Sequence, residues 1–241
     1  MHHQIYTYGI EQDADFKALD VEMTTSGTTF MLESPVGKYE VKTPLLGTFN
    51  VHNTLGAMAS AYAAGMPIEQ VVELISKLSP VDGRMEIINE GQDFTVIVDY
   101  AHTPDGVEKV LEFVNDIKQS SVKVVIGCPG DRDRTKRPLM GEMAAKLSDY
   151  CVVTSDNPRT ENPEQILQDI LPGVEKHMQA DTYHVEIDRR KAIHSAVQMA
   201  QPGDVILLAG KGHENYQDVN GVKHHFDDYE VAQEAIAAKQ K

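Results

Sequence analysis

Four short, β-branched runs limit what this chain can fold into: Phe94-Thr95-Val96-Ile97-Val98, Val122-Lys123-Val124-Val125-Ile126, Tyr150-Cys151-Val152-Val153-Thr154 and Val205-Ile206-Leu207-Leu208-Ala209. Each is too short for a stable helix and breaks into a loop of Gly or Pro with charged residues. Runs of this kind are strands buried on both faces of a parallel sheet. Helical patterns separate them, at Asp105–Ile117, Arg137–Leu147, Pro163–Met178 and Arg189–Ala200. Alternation of strand and helix predicts βαβ units. From about Val81 onward the expected fold is α/β, a Rossmann-like, mostly parallel sheet with helices on both faces. A turn at Asn220-Gly221 predicts a hairpin, and a helix over Tyr229–Lys239 closes the chain.

Residues 1 to 80 read differently. Ile5 to Val41 is rich in Thr, Tyr, Phe and Val, with turns at Thr25-Ser26-Gly27 and Pro35-Val36-Gly37, the pattern of a few antiparallel strands. Asn50 is placed to cap a small-residue helix ending at Gly65, and Pro67 suits the start of a second helix, Ile68 to Leu78. Hairpins plus two helices are thin for an independent domain, so this region reads as part of a larger one. The segment before Leu45 is expected to be poorly anchored.

Parallel strands gather their following loops on one rim, where open α/β sheets bind ligands. Arg132 lies in Gly127-Cys128-Pro129-Gly130-Asp131-Arg132-Asp133-Arg134. Asp156, Asn157, Pro158 and Arg159 lie in the loop after Thr154, and Gly210 and Glu214 in Gly210-Lys211-Gly212-His213-Glu214. Two guanidinium forks suit a carboxylate, and Glu214 suits an ammonium, so the set describes an amino-acid site. The competing arrangement pairs Arg132 and Arg159 with Asp131, Asp133 or Asp156 as surface ion pairs. Asp99 and His102 suit a ribose or nucleotide equally well as a helix cap and a loop residue.

Several classes are excluded. Lys+Arg of 22 against Asp+Glu of 37, a net charge of −15, leaves no basic stripe for nucleic acid. No apolar run is long enough to span a membrane, and no basic-then-apolar leader opens the sequence. Cys128 and Cys151 read as reduced thiols of a cytosolic protein. Lys211 suggests a phosphate loop, but the G-x-x-x-x-G-K-[ST] pattern is absent, as are H-E-x-x-H and C-x-x-C, so no metal site is expected. The His2-His3 pair carries no assignment.

Seven ordered motifs carry a resemblance: Gly47-Thr48-Phe49-Asn50-Val51-His52-Asn53, Asp82-Gly83-Arg84-Met85-Glu86, Val98-Asp99-Tyr100-Ala101-His102-Thr103-Pro104, Gly130-Asp131-Arg132-Asp133, Lys136-Arg137-Pro138, Asp156-Asn157-Pro158-Arg159 and Gly210-Lys211-Gly212-His213-Glu214. Together they resemble the Mur ligase family, and the Asp-Asn-Pro-Arg loop resembles its diaminopimelate-adding type. The resemblance implies a cytoplasmic, monomeric enzyme of peptidoglycan synthesis. Its activity would be ATP-dependent ligation of meso-2,6-diaminopimelate to a UDP-N-acetylmuramoyl dipeptide through an acyl phosphate. It further implies that residues 1–80 belong to the central ATPase domain and 81–241 form the amino-acid-binding domain. Arg132, Asp156, Asn157, Pro158, Arg159, Gly210 and Glu214 match the diaminopimelate site. The arginines would hold the distal carboxylate, and Glu214 with the Gly210 carbonyl the distal ammonium. Asn50, Arg84 and Asp99, with His102 beside them, match positions facing ATP across the domain boundary. The family's phosphate loop, Mg²⁺ ligands, modified lysine and UDP-binding domain are expected upstream of residue 1, so ATP and Mg²⁺ would be held mainly there. On that expectation these 241 residues alone neither hydrolyse ATP nor ligate. The alternatives are a non-catalytic amino-acid-binding module of the same fold, or a lysine-adding or folylpolyglutamate-type ligase.

Overall fold

The turns at Thr25-Ser26-Gly27 and Pro35-Val36-Gly37 each reverse the chain in a computed structural model, which describes residues 5–241; His2-His3 lies outside the described residues. The chain divides into two compact units, Met1–Pro80 and Val81–Lys241. In the first, strands β1 (Tyr8–Ile10), β2 (Phe16–Thr24), β3 (Gly27–Ser34) and β4 (Gly37–Thr43) form a sheet in that order, followed by helices α1 (Thr48–Ala63) and α2 (Ile68–Ser76). The last three strands pair antiparallel as expected, but β1 runs parallel to β2. Thr7 donates through its amide and its Oγ1 to Asp15 Oδ2, both at 2.8 Å, closing the short link that returns the chain in the same direction.

Asn50 is not the cap of α1. The helix begins after Gly47, whose φ of 90° turns the chain in, and Asn50 lies inside the first turn with Nδ2 donating back to Leu46 O at 2.8 Å. Glycine is itself an acceptable N-cap, and its left-handed backbone decided the boundary.

The segment before Leu45 is better anchored than its sequence suggests. Phe16, Phe30, Leu32 and Val41 on the strands meet Val51, Leu55 and Met58 on α1 and Ile68 and Val71 on α2, all buried. Each large apolar side chain so buried contributes about 1.5–3 kcal/mol.

The second unit contains β5 (Glu86–Ile88), β6 (Thr95–Asp99), α3 (Pro104–Ile117), β7 (Val122–Ile126), α4 (Lys136–Lys146), β8 (Tyr150–Thr154), α5 (Pro163–Val174), β9 (Tyr183–Glu186), α6 (Arg189–Met199), β10 (Val205–Ala209), β11 (Tyr216–Val219), β12 (Val222–His225) and α7 (Asp228–Lys239). Its sheet runs β5-β6-β10-β7-β8-β9, parallel except for β5. Side chains alternate across it. Val96, Val98, Val125, Val152, Ile206 and Leu208 pack with α6 and α7, while α3, α4 and α5 pack against one another in sequence and cover the other face.

Sequence sets the helix starts. Thr103 accepts from Gly106 N ahead of α3, Asn162 from Glu164 N ahead of α5, and Asp188 and Asp227 cap α6 and α7; Pro104 and Pro163 open their helices. Helix α5 ends at Val174 rather than Met178, with His177 and Met178 in a closing turn on the Val174 carbonyl. Among the described residues no helix is long and apolar enough to cross a membrane.

Candidate functional site

The loops after β7, β8 and β10 leave the sheet at its carboxyl edge and are tied to one another. Gly130 N donates to Asn157 O at 2.8 Å, and a Cβ on Gly130 would stand 1.9 Å from Pro158 O, so only glycine fits. Asp131 N donates to Glu161 Oε1 at 2.6 Å, while the Asp131 carboxylate accepts from Thr160 Oγ1 at 2.7 Å and Thr160 N at 3.3 Å. Beneath this seam Arg137, 1% exposed, forks onto Glu161 at 2.7 and 2.9 Å and reaches Asp169 at 2.8 Å. Burial alone would make the Arg137 guanidinium easier to deprotonate; the two carboxylates outweigh it and hold the charge. Arg137 in turn keeps Glu161 below the usual carboxylate range.

Arg132 and Arg159 each sit one residue from this seam. Arg159 has φ 53° and Asp131 φ 56°, left-handed conformations that non-glycine residues adopt at a cost of about 1 kcal/mol or more. The hairpin of β11 and β12 holds the first of them. Arg159 N donates to Asp218 O at 2.9 Å, and Asn220 N donates to Arg159 O at 2.7 Å. Neither guanidinium has a carboxylate partner among the described residues; Arg132 Nη1 reaches only the carbonyl of Asp131, at 3.3 Å. The acids that might have neutralised them are engaged elsewhere. Asp133 accepts from Thr135 and Asp156 from the Asn157 amide, besides the Asp131–Thr160 bonds.

Opposite charge comes from the loop after β10. Glu214 Oε2 accepts from Asn157 Nδ2 at 2.7 Å and lies 3.4 Å from Lys211 Nζ; its Oε1 has no partner among the described residues. Asn157 is 2% exposed and its Oδ1 accepts from Asp218 N at 2.9 Å and Lys211 Nζ at 3.3 Å. Its amide therefore acts mainly within the protein. Asp156 is likewise buried, with its carbonyl accepting from Gln217 Nε2 at 2.6 Å, and Pro158 is buried behind Gly130. Gly210, at φ 114°, continues the sheet by donating to Asp99 O at 3.0 Å.

The residues expected near a nucleotide fall in both units. Asn50 belongs to the first. In the second, Arg84 lies 4.5 Å over the Tyr100 ring, with His102 and His213 rings 4.6 and 5.3 Å from the same ring. The turn carrying Arg84 is pressed onto the loop after β10, since a Cβ on Gly83 would fall 2.0 Å from His213 N. Asp99 is less available than its position in the sequence implies. It is 5% exposed, with Oδ1 accepting from Ala101 N and Oδ2 from Met85 N, both at 2.8 Å. Burial raises its carboxyl above the usual range, with those amides and then Arg84 and His102 opposing. Cys128 and Cys151 are free and buried, and burial pushes both thiols up to about 12, so neither is a nucleophile at neutral pH. Among the described residues no three His, Cys, Asp or Glu side chains are placed to hold a metal.

Asp131, Arg137 and Lys211 stand in motifs that the sequence displays, yet it gave them no place in the site, and Glu161 carried no separate signal.

The model of the Mur ligase glutamate ligase domain matches residues 83–212, and that of the Mur ligase middle domain residues 1–61. A UDP-N-acetylmuramoyl-L-alanyl-D-glutamate–2,6-diaminopimelate ligase of Geobacillus thermodenitrificans is 49% identical over 96% of this chain and 47% of its own length. The ligase of the same name from Oceanobacillus iheyensis is 46% identical over 98% of the chain and 47% of its length. A solved structure of a ligase of that name is 42% identical, with a TM-score of 0.69 over 99% of this chain and 48% of that one. The chain spans about half the length of the curated relatives it matches.

Proposed function

The chain belongs to the Mur ligase family, and from that premise we propose that it carries the amino-acid-binding part of an ATP-dependent ligase joining meso-2,6-diaminopimelate to UDP-N-acetylmuramoyl-L-alanyl-D-glutamate. On this reading residues 81–241 are the amino-acid-binding domain and residues 1–80 belong to the central ATPase domain. An ATP-driven step on a nucleotide-linked acceptor makes the cytoplasm the compartment of this reading.

One observation carries it: two arginines without carboxylate partners among the described residues, on loops locked together, beside a glutamate with one oxygen unengaged by those residues. The guanidiniums of Arg132 and Arg159 suit the distal carboxylate of the incoming amino acid. Glu214 Oε1, with the Gly210 carbonyl, suits its distal ammonium. Asn157, Asp156 and Pro158 shape the loop that presents them. Held at both distal charges, the ligand has its other amine directed away from the anchor, toward an acyl carbon. This part of the rate enhancement is orientation, and the side chains of the site act as clamps rather than nucleophiles. ATP, when bound, supplies the phosphoryl group that activates the acceptor carboxyl. The Arg84–Tyr100 stack with His102 and His213 offers a flat, cation-backed surface suited to a base. Asp99 supports that surface through the Met85 and Ala101 amides, and Asn50 joins the reading by its motif alone. Among the described residues no set of carboxylates or imidazoles is placed to hold a magnesium ion.

L-lysine lacks the distal carboxylate and would leave both guanidiniums unanswered; sites built for a polar group can reject analogues lacking it by up to roughly 10⁵-fold. Calorimetric titration of the chain should show saturable binding of meso-diaminopimelate, at least about tenfold weaker binding of L-lysine, and loss of the difference in Arg159→Ala. Equal binding of both amino acids by the unaltered chain would contradict the assignment.

A further inference from the structure

Lys211 is the one fully buried lysine among the described residues of the rim. Its side chain is 0% exposed. Its ammonium donates to Tyr216 O at 2.5 Å and to Asn157 Oδ1 at 3.3 Å, and stands 3.4 Å from Glu214 Oε2. A lysine has three N–H donors, and all three are accounted for, each on a different segment: the β10 loop itself, the loop after β8 and the start of β11. A buried ammonium persists only when paired and fully hydrogen-bonded. Its bonds therefore fix where those three segments meet.

The consequence falls on Glu214. Asn157 Nδ2 and the Lys211 ammonium approach the same carboxylate oxygen, Oε2. Asn157 is oriented to donate there because its Oδ1 accepts from Lys211 and from the Asp218 amide. Glu214 is thus locked by one oxygen, and the other is left to a ligand. The Arg159 backbone is held by Asp218 and Asn220 of the same hairpin that Lys211 anchors at Tyr216.

We propose that Lys211 is a positioning residue that sets ammonium recognition: it directs Glu214 Oε1 toward the distal ammonium of the amino-acid substrate by engaging Oε2 and the Asn157 amide. The inference rests on the amino-acid-binding reading above, and its test separates the two.

The structural arm needs no ligand. In the 241-residue chain the Lys211 Nζ protons should exchange slowly enough to give an NMR signal, unlike those of the exposed Lys38. In Lys211→Met, which keeps the apolar stem, the Asn157 side-chain amide protons should lose protection. Rapid exchange at Lys211 Nζ, or Asn157 protons that do not change in Lys211→Met, overturns the proposal. If Lys211→Met fails to fold, the wild-type chain decides: Asn157 side-chain amide protons that exchange as fast as those of an exposed asparagine overturn the proposal. The ligand arm compares meso-diaminopimelate with 2-aminopimelate, which lacks the distal amine. Lys211→Met should weaken the first about tenfold or more and the second little, because only the first uses Glu214. Equal weakening of both indicates a merely structural role and overturns the proposal. If the wild-type chain binds neither ligand, the amino-acid reading of this chain fails, and the structural arm alone decides whether Lys211 locks Glu214.

Discussion

At the scale of single residues, the candidate site consists of groups whose charge is left unanswered and groups that keep it so. Arg132, Arg159 and Glu214 were legible in the sequence because their residue types match a zwitterion. The residues that present them were not. Asp131 reads as one more acid in a charged loop, yet its carboxylate ties Thr160 across the seam from a left-handed backbone. Asn157 and Asp99 read as ligands by position, while the structure engages their side chains with internal partners. No spacing rule reveals that, because it depends on what folding brings within 3 Å. Asp131→Gly keeps the left-handed backbone and removes the tie, whereas Asp131→Asn tolerates that backbone and can still accept from Thr160. The glycine variant should bind meso-diaminopimelate about three- to tenfold more weakly, with the asparagine variant close to wild type. Calorimetry on the two variants checks this, and equal affinities would remove Asp131 from the account.

Among elements, the strands buried on both faces were read to within a residue, because continuous apolar runs have few other fates. Strands β5 and β9 went unread. β5 is three residues long, and β9 is a half-exposed edge strand without a continuous apolar run, its His184 hydrogen-bonded to Tyr150 and Ser195. The parallel pairing of β1 was hidden for a related reason, since a side-chain bond from Thr7 to Asp15 decides it. The rim opposite the site shows how elements are joined. Asp204, just before β10, accepts from Ser121 Oγ and N at 2.7 and 3.0 Å, from Gln201 N at 2.7 Å and from Lys123 Nζ of β7 at 2.5 Å. Burial pushes its carboxyl up, but Lys123 and these donors outweigh burial and leave it well below the usual range. A carboxylate depressed in the folded state stabilises above its unfolded pKa of about 3.9 and loses that contribution as pH falls through and below it. Asp204→Asn, which leaves Lys123 nearly buried without a counter-charge, should lower stability at pH 7 by about 3 kcal/mol. The gap to wild type should narrow toward pH 2. Urea denaturation at both pH values measures it, and a gap independent of pH would refute the linkage.

Taken as a whole molecule, the chain joins two units, each with its own core, and the candidate site is built within the second from three loops of one sheet edge. The first unit was underestimated from sequence because its core is distributed over strands and helices whose facing cannot be read one element at a time. The shared edge of these loops was legible, since parallel strands send their loops to one rim, and much of the resemblance to Mur ligases is carried by the residues of those loops. The central claim is that Arg132 and Arg159 together receive a carboxylate that lysine does not have. It is tested most directly by following the Nε–H signals of both arginines by NMR as meso-diaminopimelate, and separately L-lysine, is added. The account predicts that both signals shift together and saturate with diaminopimelate while lysine leaves them in place. Signals that move alike with both ligands, or only one arginine responding to diaminopimelate, would contradict it.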